Sequence, residues 1–114
     1  MSDISITTSE FIAGTQLVKF VGQLDETNIE EQAKKIYQIM EGEVKNLVFD
    51  FSELTYLNSK SIGYIADWQQ KISQKGGKIV IVAAKENIFD ILDVVGLTNI
   101  ITIVDNEEDA KKAL

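Results

Sequence analysis

Ile4, Ile6 and Thr8 alternate with polar residues, the period of a strand with one face on a core, and this places an edge-type first strand near the start of the chain. Ala13-Gly14-Thr15 supplies a turn. Gln16 to Val21, with Leu17, Val18 and Phe20, reads as a second strand and the hairpin partner of the first, ended by Gly22. The period then changes. From Ile29 the apolar positions fall at 29, 33, 36, 37 and 40, a helical stripe of about 11 residues. Asp25, Thr27 or Asn28 can cap this helix, Glu26, Glu30 and Glu31 lie near its positive end, and Gly42 closes it.

Leu47 to Phe51 is almost continuously apolar, the pattern of a strand central in a sheet or covered on both sides. A short polar loop, Glu53-Leu54-Thr55-Tyr56, leads to a helix from about Ser59 to Gln74 with Ile62, Ile65, Ala66 and Ile72 on one face. Gly76-Gly77 terminates it. Ile79 to Ala83 is a further strand, Glu86 to Val95 a helix ended by Gly96, and Ile100 to Val104 a last strand. Asp105 or Asn106 then caps a terminal helix running through Leu114. The order β-β-α-β-α-β-α-β-α predicts an α/β fold of right-handed crossovers. Its sheet of five mostly parallel strands is expected in the order 1-2-3-4-5, with strand 1 antiparallel. Four helices mainly on one face are expected. The continuous apolar runs also fit helices on both faces.

Composition narrows the chemistry. The 114 residues suit one domain, 1–114. There is no Cys, His or Arg, which removes thiolate and imidazole nucleophiles or ligands and guanidinium clamps on phosphate. A net charge of −7 disfavours nucleic acid and anionic membranes. The apolar runs fall far short of the roughly 20 residues that cross a bilayer, and no basic segment precedes an apolar one at the N-terminus. The expectation is a cytoplasmic binding or regulatory module with no catalytic residues, no metal and no cofactor.

Four segments, taken in order, resemble the STAS domain family, which includes bacterial anti-sigma factor antagonists and the cytoplasmic tails of sulfate transporters. Gly22-Gln23-Leu24-Asp25 resembles its Gly-x-Leu-Asp after the second strand. Val48-Phe49-Asp50-Phe51-Ser52, with Leu54 and Leu57, resembles its strand-and-loop signature. Ser59 to Gly63 lies where the family opens its second helix with Asp-Ser-Ser/Thr-Gly-Leu/Ile-Gly. Val95-Gly96-Leu97, Ile103 and Glu107-Glu108-Asp109-Ala110 resemble its ending. Together they span about residues 15 to 114. The resemblance implies a partner-switching regulator whose partner is an anti-sigma factor or related serine kinase, with Ser59 at the position of the phosphoacceptor. The chain departs from the pattern at Asn58, Lys60 and Ser61, which stand where Asp, Ser/Thr and Gly are usual.

Each candidate has a structural reading beside the functional one. Ser59 is a phosphorylation candidate, and Asn58 or Ser59 is also a strong helix cap. Lys60 is a contact for a partner carboxylate or a solvated first-turn residue. Tyr64 and Trp68, four residues apart, are interface anchors or packing against a neighbouring helix. The partner surface is therefore expected to comprise Asn58, Ser59, Lys60, Ser61, Tyr64 and Trp68. Asp25 and Asp50 follow strands 2 and 3; if they approached each other at one end of the sheet they could hold a cation or serve acid–base chemistry, and the expectation is that they cap helices or brace loops. Two further readings stand beside the switch: a constitutive scaffold or transporter accessory, and a phosphoaspartate receiver with Asp50 as acceptor. Monomer and weak dimer are both open.

Overall fold

The computed structural model describes residues 3–114. Strands β1 (Ile4–Ile12), β2 (Thr15–Leu24), β3 (Asn46–Leu57), β4 (Ile79–Val82) and β5 (Thr102–Val104) form one sheet in the order β1-β2-β3-β4-β5. β1 pairs antiparallel with β2, and the other neighbours are parallel. Between them lie α1 (Ile29–Glu41), α2 (Ser59–Gln74), α3 (Glu86–Val94), a short 3-10 turn at Leu97–Asn99 and the terminal α4 (Glu107–Ala113). The expected order and the antiparallel first strand are both present.

The two faces of the sheet are covered unequally. Val18, Phe20, Leu47, Phe49, Ile79 and Ile81 meet the apolar stripes of α1, α2 and α3 in the main core. On the reverse face Val48, Val80 and Val82 pack with Ala110 of α4, flanked by Ala113 and Leu114. Three helices share one face and a short fourth closes part of the other. Continuous apolar strands at the centre follow directly, because β3 and β4 are buried from both sides.

Two element boundaries differ from the sequence reading, and each has a physical cause. β2 does not stop at Gly22. This residue has φ +118°, and a Cβ there would collide with the carbonyl of Asp3, while the neighbouring Gln23 N–H donates to that carbonyl at 2.9 Å. Glycine lets the strand continue to Leu24 instead of breaking it.

The second difference is in β3. The supposed polar loop after Phe51 is strand, and its register against β2 shifts twice. Lys19 faces Asp50, Val21 faces Glu53, Gly22 faces Leu54 and Gln23 faces Tyr56. Each shift inserts one extra residue into β3, a β-bulge. The buried positions Phe51, Leu54 and Leu57 consequently recur every three residues instead of every two.

Smaller differences lie at the far end of the chain. The last strand begins at Thr102 and not Ile100, because the N–H groups of Ile100 and Ile101 donate back to the Leu97 carbonyl of the 3-10 turn, at 3.1 and 2.9 Å. Of the two expected caps of α4 it is Asn106 that serves, its Oδ1 accepting from the Asp109 N–H at 2.9 Å.

Gly22→Ala is expected to destabilise the protein by about 2 kcal/mol or more, because it combines positive-φ strain with a backbone collision. Urea unfolding of the two proteins measures this. A change below about 0.5 kcal/mol would remove the role given to Gly22.

Candidate functional site

β3 ends at Leu57 and α2 begins at Ser59, so the whole junction is one residue, Asn58. Asn58 is extended (φ −105°, ψ 176°) and is the N-cap. Its Oδ1 accepts from the Ser61 N–H at 2.9 Å and from the Ser61 hydroxyl at 2.6 Å. Ser61 is fully buried, and its hydroxyl also lies 3.5 Å from the Leu24 carbonyl at the end of β2. The start of α2 is thereby tied to the sheet. Ser59 occupies the first helical position, exposed, and Lys60 beside it is also exposed.

Around this corner is an open depression of about 380 Å³, with Tyr56, Asn58, Ser59, Lys60 and Ile62 on one side and Glu26 and Ile91 among the rest of its lining. Tyr56 is 45% exposed. Lys60 bridges to Glu30 of α1 at 2.6 Å, and that carboxylate raises the Lys60 pKa while the ammonium lowers that of Glu30. The pair is solvated, so its value is geometric: it holds Lys60 across the opening of the α1–α2 seam.

Further along the seam, Tyr37 of α1 donates its hydroxyl to Asp67 of α2, and Lys71 donates to the same carboxylate at 3.1 Å. These two hydrogen bonds, Tyr37 first, hold the Asp67 carboxyl below its ordinary value of 3.8, and burial pushes the Tyr37 phenol well up. Lys75 closes the far end by donating to the carbonyls of Met40 and Gly42 at 2.5 and 3.3 Å. That cation meets the negative end of the α1 dipole.

The expected site residues divide. Asn58, Ser59 and Lys60 come together at the corner. Tyr64 is half-buried, stacked on Trp68 with ring centroids 6.2 Å apart and edge-on to Tyr37 at 6.4 Å, and it keeps a solvent-facing edge beside Lys60 and Gly63. Trp68 must be corrected as a contact residue. It has no exposed surface and packs edge-on against Phe49 of β3 at 5.7 Å. Ser61 is likewise internal and belongs to the cap, not to the surface.

Asp25 and Asp50 do not meet. Lys19 is opposite Asp50, and Asp25 lies six residues further along, about 20 Å. Each braces its own segment. Asp25 accepts from the Thr27 N–H and hydroxyl at 2.9 and 2.6 Å before α1, and Asp50 accepts from the Ser52 N–H at 2.9 Å within the first bulge. Among the described residues no group of three or more Asp or Glu is placed to hold a metal ion, and no helix is long and apolar enough to cross a membrane.

Sequence reasoning passed over Glu30, Tyr37, Asp67 and Tyr56. Glu30 and Lys60 are thirty residues apart, so only the packing of α1 on α2 could pair them. Tyr56 was hidden by the mistaken loop.

The STAS domain family model matches residues 7–110. The chain belongs to the STAS domain family. An anti-sigma F factor antagonist of Paenibacillus polymyxa is 26% identical over 98 residues, which is 85% of this STAS domain and 84% of that protein. The crystal structure of an anti-sigma factor antagonist from Mycobacterium paratuberculosis is similar with a TM-score of 0.87, over 97% of this chain and 93% of that one, at 20% identity. Part of a murine Solute Carrier 26 family anion transporter is also similar, with a TM-score of 0.66 over 77% of this chain and 15% of the transporter, at 19% identity. The match supports the bottom-up order of elements and extends nearer the N-terminus than the sequence motifs reach.

Two outcomes test the geometry of this STAS domain. Asn58→Ala should cost about 1 kcal/mol or more, since it leaves the buried Ser61 hydroxyl without its closest acceptor. Asn58→Asp should be neutral or stabilising, because it keeps the acceptor and adds charge at the positive helix end. Thermal unfolding that ranks the aspartate variant with the alanine one would contradict the cap.

The Tyr37–Asp67 bond predicts a pH effect. Because the folded pKa of Asp67 is lowered, its stabilisation is present above the ordinary 3.8 and is lost as pH falls through the lowered value. Tyr37→Phe should therefore cost about 0.5–1 kcal/mol at neutral pH and progressively less as the pH falls below the ordinary 3.8. Unfolding measured at both ends of that window checks it; a pH-independent difference would rule it out.

Proposed function

We propose that this STAS domain is a non-enzymatic, cytoplasmic regulator that works by partner switching. It binds an anti-sigma factor or related serine kinase through the corner formed by Tyr56, Asn58, Ser59, Lys60 and the exposed edge of Tyr64. The observation that carries the reading is an exposed serine at the first position of α2, on the rim of an open depression, in a chain similar to an anti-sigma F factor antagonist. Docking there excludes the partner from its other client.

Phosphorylation of Ser59 releases the partner. A phosphate would be favoured locally by the N–H groups and positive dipole of the helix start, and would bring roughly −1.5 to −2 charges onto the docking surface. Lys60, already bound to Glu30, offsets only part of that charge. The non-enzymatic character of the reading rests on the residues: the chain has no His, Cys or Arg, and Asp25 and Asp50 brace separate segments.

A second reading keeps the docking corner but removes the switch, making the domain a constitutive scaffold or transporter accessory. Asn58, Lys60 and Ser61, in place of the usual residues, favour it, as does the likeness to part of an anion transporter.

Mixing the protein with ATP and the anti-sigma factor kinase of its own genome, with calorimetric binding and phosphate mapping, separates the two. On the switch reading phosphate appears at Ser59. Ser59→Asp then weakens binding at least about tenfold, Ser59→Ala binds normally, and Tyr64→Ala weakens binding in every state. An unmodified Ser59 together with full binding by Ser59→Asp would sink the switch. Loss of binding on Tyr64→Ala would still keep the surface.

A further inference from the structure

β5 lies at the open edge of the sheet, on the side away from β1, and pairs only with β4 among the described residues. The Val104 carbonyl accepts from the Ala83 N–H at 2.9 Å, so it faces inward. Alternation along the strand turns the N–H and C=O of Ile103 outward, unpaired, as on any free edge. Beside this edge is a depression of about 420 Å³ lined by Phe89 and by the run from Thr98 to Ile103. Its lining is mixed: Phe89 and Ile100, the latter 58% exposed, stand beside the polar side chains of Thr98, Asn99 and Thr102. The edge is short, three residues, and carries no lysine or proline.

Charge distribution identifies what fits. Between Lys85 and Lys111 the chain holds seven carboxylates and no basic residue. Three of them, Glu86, Asp90 and Asp93, share one face of α3 with Phe89, at helical spacings of three and four. Asp93 is fixed toward the depression, since it accepts from the Thr98 hydroxyl at 2.6 Å. A second copy of this chain would set these carboxylates against themselves, and nucleic acid or anionic lipid would be repelled. An extended polypeptide with alternating apolar and basic side chains suits all three features at once: the unpaired backbone of Ile103, the exposed apolar side chains of Phe89 and Ile100, and the acidic face of α3.

We propose that the β5 edge is a second docking surface, which takes an extended lysine- or arginine-bearing segment of a partner protein as an added strand. The edge is separate from the Ser59 corner, so one partner segment can be held there while the corner is engaged or released.

The test is a titration of the isotope-labelled full chain with a capped peptide that alternates lysine with valine and isoleucine, at about 0.15 M ionic strength. Amide shifts should concentrate on α3 and on residues 99–104. Affinity should fall at least about tenfold for Ile100→Lys, for Asp90→Lys, and for the same peptide N-methylated at alternate residues. Ile100 and Asp90 are exposed, which lets both variants fold, and the N-methylated peptide needs no variant at all. Failure of the peptide to bind, shifts placed elsewhere, or binding unchanged by N-methylation would overturn the proposal. So would self-association of the protein that Ile100→Lys abolishes, since that would give the edge to a second copy.

Discussion

Everything at the Ser59 corner depends on how Trp68 seats α2 on the sheet. The indole is enclosed by Phe49 below and by Tyr37 and Tyr64 at its sides, with centroid separations of 5.7, 6.4 and 6.2 Å. Phe49 in turn meets Phe20 edge-on at 5.2 Å and lies beside Phe51, so the contact joins α1, α2, β2 and β3 in one aromatic cluster. A side chain of this size buries on the order of 200 Å², about 5 kcal/mol of gross apolar transfer. That gain is offset in part by ordering entropy and by the buried indole N–H, which has no hydrogen-bond partner among the described residues. With the middle of α2 held so firmly, its first turn has little freedom, and Ser59 is presented at a fixed place.

The bulges of β3 supply the complementary constraint. Past its last pairing with β4, at Asp50–Val82, the strand runs seven residues further to Leu57, against five of β2, the excess being the two bulge residues. There a single residue turns the chain into α2. Asp50 satisfies the Ser52 N–H in the first irregularity, and Thr55 is held from both sides. Its hydroxyl donates to the Gly22 carbonyl at 3.1 Å, and its carbonyl accepts from Asn87 of α3 at 3.2 Å. The surface on which Tyr56 stands is therefore strand, braced by α3, and not a loop free to adapt.

This explains what was legible in the sequence. The elements themselves followed from periodicity, because uninterrupted ones keep their period of 2 or 3.6, and strand order and the antiparallel first strand followed from the sequence of those elements. β3 was truncated because bulges change its period. With Phe51, Leu54 and Leu57 three apart, a strand imitates a turn of helix or a loop. Gly22 misled in the opposite way, since a glycine chosen for positive φ inside a strand looks the same as one that ends it. At the site, local chemistry such as the Asn58 cap could be read from neighbouring residues, whereas Lys60–Glu30 and Tyr37–Asp67 join residues thirty positions apart. Trp68 shows that a helical wheel depends on where its face is centred. The buried stripe of α2 is Ser61, Ile65, Trp68 and Ile72, so the ring lies within it, and it looks marginal only when the face is centred on Ile62 and Ala66, which are only partly buried.

The departures from the family pattern acquire physical content in this frame. Asn58 retains an acceptor oxygen where the family has Asp, and both bonds to Ser61 use that oxygen, so the cap survives the exchange while the negative charge does not. Ser61 stands where glycine is usual, and its added hydroxyl is buried against Asn58 and the Leu24 carbonyl. The two substitutions answer each other: a neutral cap with a spare lone pair accommodates a hydroxyl that a glycine would not have offered. Lys60 replaces a hydroxyl residue and finds its counter-charge in Glu30, on a neighbouring helix. The scaffold under Ser59 is thus kept while the electrostatics around it are rewritten, from an acid beside the serine to an amide and a paired ammonium. A kinase that reads shape would meet a familiar corner, and one that reads the neighbouring carboxylate would not.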